Sequence, residues 1–264
     1  MRRLIAFDSS GETLIGTLDL PEQLPTIGVL IVSGGNEVRQ GAHRGMAMLA
    51  AELSSAGLAV LRFDRAGIGD STGENGGWAA GAPDIIAAGR LLTTEAGVAR
   101  VLGVGNCDAA AALATFGRRL GIDAVVLTNP WLGSEADSLP PAAAIRARYR
   151  ERLVDPDAWR RLLRGKVSLR KLVAGIGKLA RKPPRPELAA RILDGIAAWG
   201  DDATIVLASG DATAIAFADA AATRPFRTHR LDTASHSFAG ADSRVHLLGI
   251  VTSEAYRLRA ARIA

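Results

Sequence analysis

Hydrophobic and polar positions in the N-terminal half alternate between short β-rich apolar runs and alanine-rich stretches with helical spacing. This alternation is typical of βαβ units, and it predicts an α/β fold with a mostly parallel central sheet flanked by helices. The expected strands are Leu4–Asp8, Thr13–Leu20, Ile27–Ser33, Ala59–Phe63, Val101–Val104, Ala124–Thr128, Thr204–Ala208 and Phe226–Leu231. The expected helices cover about 43–56, 83–96, 108–120, 212–222 and 242–263. The first two strands, joined through Ser9-Ser10-Gly11, predict a hairpin.

The alternation stops between Ser134 and Gly200, where the apolar residues keep helical spacing throughout. Because this stretch lies between two predicted sheet strands, we interpret it as a helical lid inserted after the sixth strand. Residues 134–200 are thus the predicted insertion, and 1–133 with 201–264 the predicted core. A chain of 264 residues fits one such α/β domain.

Positive charge is concentrated in the predicted lid. Residues 142–191 contain 15 Lys or Arg and 4 Asp or Glu, whereas the rest of the chain contains 17 and 23. The basic segment is either a solvated helical face or a docking surface for an anionic partner, such as a carrier-bound acyl group or a membrane surface. Nucleic acid is not expected, since no DNA- or RNA-binding signature accompanies the charge.

The composition is that of a globular protein, with 48% hydrophobic and 22% charged residues. No apolar run reaches the roughly 18 residues that cross a bilayer, and the start lacks the apolar segment of a signal peptide, so a cytoplasmic location is expected. One cysteine and four histidines without ligand spacing predict neither a metal site nor a cofactor.

The candidate nucleophile is the single cysteine, Cys107, which lies where the strand Val101–Val104 runs into a helix. Small residues, Gly105 and Ala109, flank it, as the close approach of strand and helix at a nucleophile elbow requires. The motif reads G-x-C-x-A instead of G-x-S-x-G. A helix N-terminus favours the reactive thiolate, whereas a lone cysteine elsewhere is usually a small buried hydrophobe.

A literal G-x-S-x-G occurs at Gly69–Gly73, around Ser71. It lies in a glycine-rich loop with no strand before it and no apolar helix after it. Ser71 is therefore not expected to be the nucleophile.

The acid and the base are expected on later loops, because the order in such folds is nucleophile, acid, histidine. Asp211 follows the strand Thr204–Ala208, and His236 lies in the loop before the last helix. Asp211 would orient the imidazole of His236, which would carry the proton. A helix cap for Asp211 and a plain loop bond for His236 are the structural alternatives, and Asp232 is a rival acid.

An oxyanion hole is expected from two backbone amides. One is the N–H of Asp108, directly after the nucleophile, and the other is that of Gly35 or Asn36 in the glycine loop after the third strand. Next to this loop, Arg39 and His43 are either surface residues or contacts for an anionic part of the substrate. Trp131 is expected to form an apolar wall of the substrate pocket at the entry of the lid.

These motifs resemble the α/β-hydrolase superfamily over nearly the whole chain, and more narrowly hydrolase 1 of the exosortase A system. The stretches that carry the resemblance are Gly34-Gly35 with Arg39, Gly41, His43 and Arg44, then Val60–Asp64 with Gly67–Ser71, Cys107-Asp108, Asn129–Trp131 and His236–Phe238. The resemblance implies a bacterial setting of exopolysaccharide production and protein sorting, without a substrate. In that family an arginine stands directly before the position of Gly67, whereas this chain has Ala66 there and Arg65 one place earlier. The salt bridge or hydrogen bonds that this arginine usually makes in the loop are therefore expected to be absent or rerouted.

The sequence thus predicts an esterase or thioesterase that forms an acyl-cysteine intermediate on a small-molecule or carrier-bound acyl substrate. Two alternatives remain open at this stage. An acyltransferase would use the same site with an alcohol or amine as second nucleophile, and a non-catalytic binding protein would use the basic segment as its docking face.

Overall fold

The computed structural model of the protein describes residues 1–133 and 187–260. Its strands are β1 (Arg2–Ser9), β2 (Glu12–Asp19), β3 (Ile27–Val32), β4 (Ala59–Phe63), β5 (Arg100–Asn106), β6 (Ala124–Thr128), β7 (Ala203–Ala208) and β8 (Thr228–Leu231). Its helices are α1 (Gly45–Ser55), α2 (Gly77–Ala80), α3 (Ala82–Ala96), α4 (Asp108–Phe116), α5 (Glu187–Trp199), α6 (Ala212–Ala220) and α7 (Ala241–Ala260). Short 3₁₀ turns cover Ala42–Arg44, Gly117–Leu120 and Gly200–Asp202.

The strands form one sheet in the order β1-β2-β4-β3-β5-β6-β7-β8. The β1–β2 hairpin joins it by antiparallel pairing of β2 with β4, and every later neighbour pair is parallel. The predicted α/β fold with a mostly parallel sheet is confirmed. Since β3 to β8 run the same way, their carboxyl ends share one edge, where ligands bind in open α/β sheets.

Two apolar layers hold the sheet between helices. Alternate residues of the strands point to opposite faces, so Ile31 of β3 joins the layer under α1 and α7, whereas Leu30 joins the layer under α3, α4, α5 and α6. The central strands β3 to β7 are almost continuously buried, because helices cover both faces. None of the helices in the described part of the chain is long and apolar enough to span a membrane.

Helix α5 belongs to the second of these layers, although it lies within the expected 134–200 insertion. Its face with Ile192, Leu193 and Ile196 is buried against the core, and Trp199 is 2% exposed. The Trp199 indole donates to Ala114 O of α4 at 3.1 Å. The rest of the expected lid, 134–186, lies outside the described residues.

Candidate active site

The turn between β5 and α4 places Cys107 at the carboxyl edge of the sheet. Cys107 has φ 58° and ψ −120°, a left-handed conformation that a non-glycine residue rarely adopts. Three backbone hydrogen bonds fix it there: its N–H donates to Thr128 O at 3.0 Å, and its carbonyl accepts from Ala111 and Trp131 at 3.3 and 3.1 Å. Strain that the surrounding structure holds in this way is characteristic of functional turns.

The small residues around the elbow have a direct steric reason. A Cβ on Gly105 would lie 2.9 Å from the backbone carbon of Ala109 and 2.8 Å from Leu113 Cδ1. On the other side, a Cβ on Gly34 would overlap Asn106 O. The strand, the helix and the glycine loop after β3 therefore pack too closely for side chains at these positions.

Asp211 and His236 meet in the structure as the chain order predicts. His236 Nδ1 lies 3.0 Å from Asp211 Oδ1, and Asp211 Oδ2 accepts from Ala214 N at 2.9 Å as the N-cap of α6. The Asp211 side chain is 11% exposed and that of His236 39%. One carboxylate thus caps α6 and contacts the imidazole of His236.

The electrostatics of this pair favour the charged forms. Burial alone would raise the pKa of Asp211, but hydrogen bonds from His236, Ala214 and Thr213 bring that pKa below its ordinary value. The bonds of His236 with Asp211 and with the Cys107 side chain outweigh burial and raise the pKa of His236 to about 10. A histidine between a thiol and a carboxylate is the arrangement that stabilises a thiolate–imidazolium pair.

Asn129, directly after β6, links the end of β7 to the loop that carries His236. It is fully buried with φ 42°. Its amide nitrogen donates to His236 O at 2.9 Å, and its oxygen accepts from Ala208 N at 2.9 Å, at the end of β7. In the sequence, Asn129 stands out only as part of the Asn129–Trp131 stretch of the resemblance. The signal that was available is an asparagine in a tight turn after a buried strand, since asparagine tolerates the left-handed region.

The glycine loop after β3 lies against the elbow, as expected for the second oxyanion donor. However, the Gly35 N–H already donates to Asp108 Oδ1 at 2.6 Å. Of the two candidate backbone donors, Gly35 and Asn36, this bond leaves the N–H of Asn36 as the better candidate. The side-chain oxygen of Asn36 accepts from Asn75 at 2.8 Å. The N–H of Asp108 itself is at the first position of α4, where helix amides point toward an anion.

Arg65, after β4, contacts both the glycine loop and the elbow. Its guanidinium donates to Gly35 O and lies 3.6 Å from Asp108 Oδ2, with a side chain only 5% exposed. Asp84 instead accepts from the N–H of Ala66 at 2.9 Å. The arginine that comes one place early therefore joins the glycine loop to the elbow.

The G-x-S-x-G loop has a structural role. The Ser71 hydroxyl donates to Asp64 O at 2.7 Å and accepts from Ile15 N at 2.9 Å, so it fastens the loop to β2. Arg39 forms ion pairs with the buried Asp64 and with Asp70, at 2.9 Å for the latter. These contacts bring the motif residues of two separate loops into one network.

The two remaining residues expected to bind substrate differ in their surroundings. His43 is exposed, with φ 52° in the turn before α1. Trp131 is half-buried, and its N–H donates to Cys107 O. In residues 1–133 and 187–260, no group of three His, Cys, Asp or Glu side chains is placed to hold a metal ion.

Comparison with known proteins identifies the class. A profile of the Alpha/beta hydrolase family matches residues 29–245. This span holds Cys107, Asp211 and His236, and the chain belongs to this family. No curated protein matches the chain in sequence.

Solved structures share the fold at low sequence identity. A serine hydrolase without lid from Xanthomonas campestris is 16% identical, with a TM-score of 0.60 over 97% of this chain and 94% of that one. A dienelactone hydrolase from Anabaena variabilis is 16% identical, with a TM-score of 0.60 over 96% and 95%. The esterase domain of a Rhodothermus marinus protein is 17% identical, with a TM-score of 0.60 over 97% and 98%.

Proposed function

We propose that the protein hydrolyses carboxylic esters or thioesters through an acyl-cysteine intermediate, with Cys107, His236 and Asp211 as its triad. The observation that carries this proposal is the strained elbow at Cys107 together with the His236–Asp211 bond of 3.0 Å. Backbone strain at a strand–helix turn has no structural use for a cysteine that merely fills the core.

In the first half of the reaction, the Cys107 sulfur attacks the carbonyl carbon of the substrate. His236 takes or already holds the thiol proton, and Asp211 keeps its ring in the tautomer that carries hydrogen on Nδ1. The tetrahedral intermediate collapses, the bond to the leaving alcohol or thiol breaks, and His236 returns the proton to it. Cys107 is left acylated.

The negative oxygen of the intermediate is bound by backbone amides. The N–H of Asp108 is the first donor, and the N–H of Asn36 is the second that fits, since Gly35 donates to the Asp108 carboxylate. Each such donor is worth about 10²–10³ in kcat. In the second half, His236 removes a proton from water, the hydroxide attacks the acyl carbon, and the free acid leaves.

The test is a screen of acyl esters and thioesters of increasing chain length, followed by intact-mass measurement of the trapped acyl-enzyme. Cys107→Ala should remove nearly all turnover and the acyl adduct. Ser71→Ala is the matched control, because it changes the literal G-x-S-x-G and should keep turnover. Activity that survives Cys107→Ala but is lost in Ser71→Ala would assign the nucleophile to the other loop. Product analysis with added alcohol or amine separates hydrolysis from acyl transfer.

A narrower assignment, to the hydrolases of the exosortase A system, is part of the proposal. It is supported by the network that joins Arg39, Asp64 and Asp70 with Ser71, since these are the residues on which the resemblance depends. It implies a cytoplasmic bacterial enzyme. Deleting its gene should alter exopolysaccharide production or the sorting of anchored proteins, and an unchanged phenotype in both would contradict the assignment.

A further inference from the structure

Four arginines from separate segments line one pocket on the α1 face of the sheet. The pocket has a volume of about 370 Å³ and is bordered by Arg2 of β1, Arg39 of the loop after β3, Arg44 before α1, and Arg62 of β4. Thr17 and Ala47 contribute to its wall. Guanidinium groups that converge repel one another unless an anion or nearby carboxylates offset the repulsion.

The nearby carboxylates do not form ion pairs with all four arginines. Asp19 accepts from Arg2 Nε at 2.6 Å, and its second oxygen lies 3.7 Å from Arg62 Nε, too far for a hydrogen bond. Arg39 forms ion pairs with Asp64 and Asp70. Arg44 is exposed and has no ion-pair partner among the described residues. Four cations therefore face three carboxylates.

Arg62 is the arginine of this pocket that has a buried hydrogen-bond donor without a partner. Its side chain is 4% exposed, and Nη1 donates to Arg39 O at 3.2 Å. Neither Nε nor the Asp19 Oδ2 that faces it at 3.7 Å has a hydrogen-bond partner among the described residues. Burial lowers the pKa of its guanidinium, and Arg2 and Arg39 lower it further against the attraction of Asp19. Asp19 thus serves both Arg2 and Arg62, and the Arg62 N–H that faces it remains without a hydrogen bond.

The backbone supports the same arrangement at the rim of the pocket. His43 and Arg44 are consecutive non-glycine residues with φ 52° and 60°. Helix α1 follows at once, with no side-chain cap and no acidic residue in its first turn. The strained turn holds Arg44 at the opening. The carboxylate of Glu37 in the preceding loop accepts from Ala42 N of this turn at 2.6 Å.

We propose that this pocket binds a phosphoryl group. A phosphoryl group carries at least one negative charge, which matches the single positive charge in excess, and its several oxygens can accept from guanidinium groups that approach from different segments. A carboxylate offers two oxygens in one plane and fits this convergence less well.

The site is separate from the triad. Arg62 is level with Ile31 of β3, and Ile31 with Val104 of β5. Cys107 lies three residues beyond Val104, so its offset from Arg62 is about 10 Å along the strands and about 10 Å across them. Phosphoryl binding is thus measurable without catalysis.

The experiment is calorimetric titration of the whole protein with inorganic phosphate, a phosphate monoester and a phosphodiester, at constant ionic strength. Acetate is the carboxylate control. Comparing the three phosphoryl ligands shows whether the pocket prefers free phosphate or an esterified phosphoryl group. We expect saturable binding of at least one phosphoryl ligand, at least tenfold tighter than acetate.

Arg44→Glu should weaken that binding at least tenfold, because it reverses the one charge without a carboxylate partner. Arg90→Glu is the matched control: it makes the same charge change on an exposed position of α3, which packs on the opposite face of the sheet. Cys107→Ala should bind as tightly as wild type. The proposal is overturned if no phosphoryl ligand binds more tightly than acetate, or if Arg44→Glu and Arg90→Glu have the same effect.

Discussion

Replacing Asp211 with asparagine should separate the two tasks of this carboxylate. As the N-cap of α6, Asp211 accepts from Ala214 N at 2.9 Å, and asparagine caps a helix about as well as aspartate, whereas alanine costs about 1 kcal/mol. Asp211→Asn should therefore retain the cap, while Asp211→Ala should have a free energy of unfolding lower than that of Asp211→Asn by about 1 kcal/mol at every pH.

The second task is electrostatic and depends on pH. An opposite charge within hydrogen-bond distance raises the pKa of a histidine by about one to three units, so the pKa of His236 should fall by that much from about 10 in Asp211→Asn. In wild type, the raised pKa of His236 stabilises the fold fully below pH 6.5, and this contribution is lost as the pH rises toward about 10. The lowered pKa of Asp211 stabilises the fold above pH 3.8, and this contribution is lost as the pH falls through the lowered value.

The stability difference between wild type and Asp211→Asn should thus be largest between pH 3.8 and 6.5 and vanish above about pH 10. Denaturant unfolding across this range measures it, and NMR titration of labelled histidine follows the pKa of His236. On an active ester, kcat should fall by as much as about 10⁴-fold, as in serine triads. A His236 pKa that stays near 10, or kcat within about tenfold of wild type, would refute the role of Asp211 and return attention to Asp232.

Three further outcomes are expected. Gly34→Ala places a Cβ 2.8 Å from Asp108 Oδ1, so it should lower the free energy of unfolding by about 1–3 kcal/mol in thermal denaturation, and an unchanged stability would contradict the packing described for the elbow. Asn129→Ala removes both bonds that hold the His236 loop and the end of β7, so kcat should fall while KM changes little, and an equal rise in KM would point to a lost substrate contact instead. With glutamate at 160, 161 and 164, which lie outside the described residues, kcat/KM for an anionic carrier-bound substrate should fall as it does at high salt, where the Debye length is shorter than about 8 Å. For a neutral ester, kcat/KM should not change with these substitutions or with salt. The same response from both substrates would mean that the basic segment is only a solvated face.

The regular part of the fold could be predicted from the sequence because its pattern is local. Strands β4 and β6 begin and end at the predicted residues, and the other six are within about three residues of theirs. Helix α2 was not predicted, since four residues in a glycine-rich stretch carry no periodicity. Helix α5 was included in the insertion because an apolar helical face has the same pattern whether it covers a pocket or packs against α4.

The order and location of the candidate site residues were also predictable, since each follows a strand whose end lies at one edge of the sheet. The bonds between them were not. Asp108 accepts from Gly35, and Asn129 bonds with His236, 107 residues away, and with Ala208, 79 residues away. These bonds depend on tertiary contacts that no local spacing encodes.

Cys107 is the single cysteine of this sequence, and under the proposed mechanism this ties activity to the redox state of the surroundings. A thiolate that oxidants reach is converted first to a sulfenic acid, which a second thiol can capture as a disulfide before irreversible oxidation follows. This sequence has no second thiol to do so. Recovery after a burst of peroxide would therefore depend on external reductants such as small thiols.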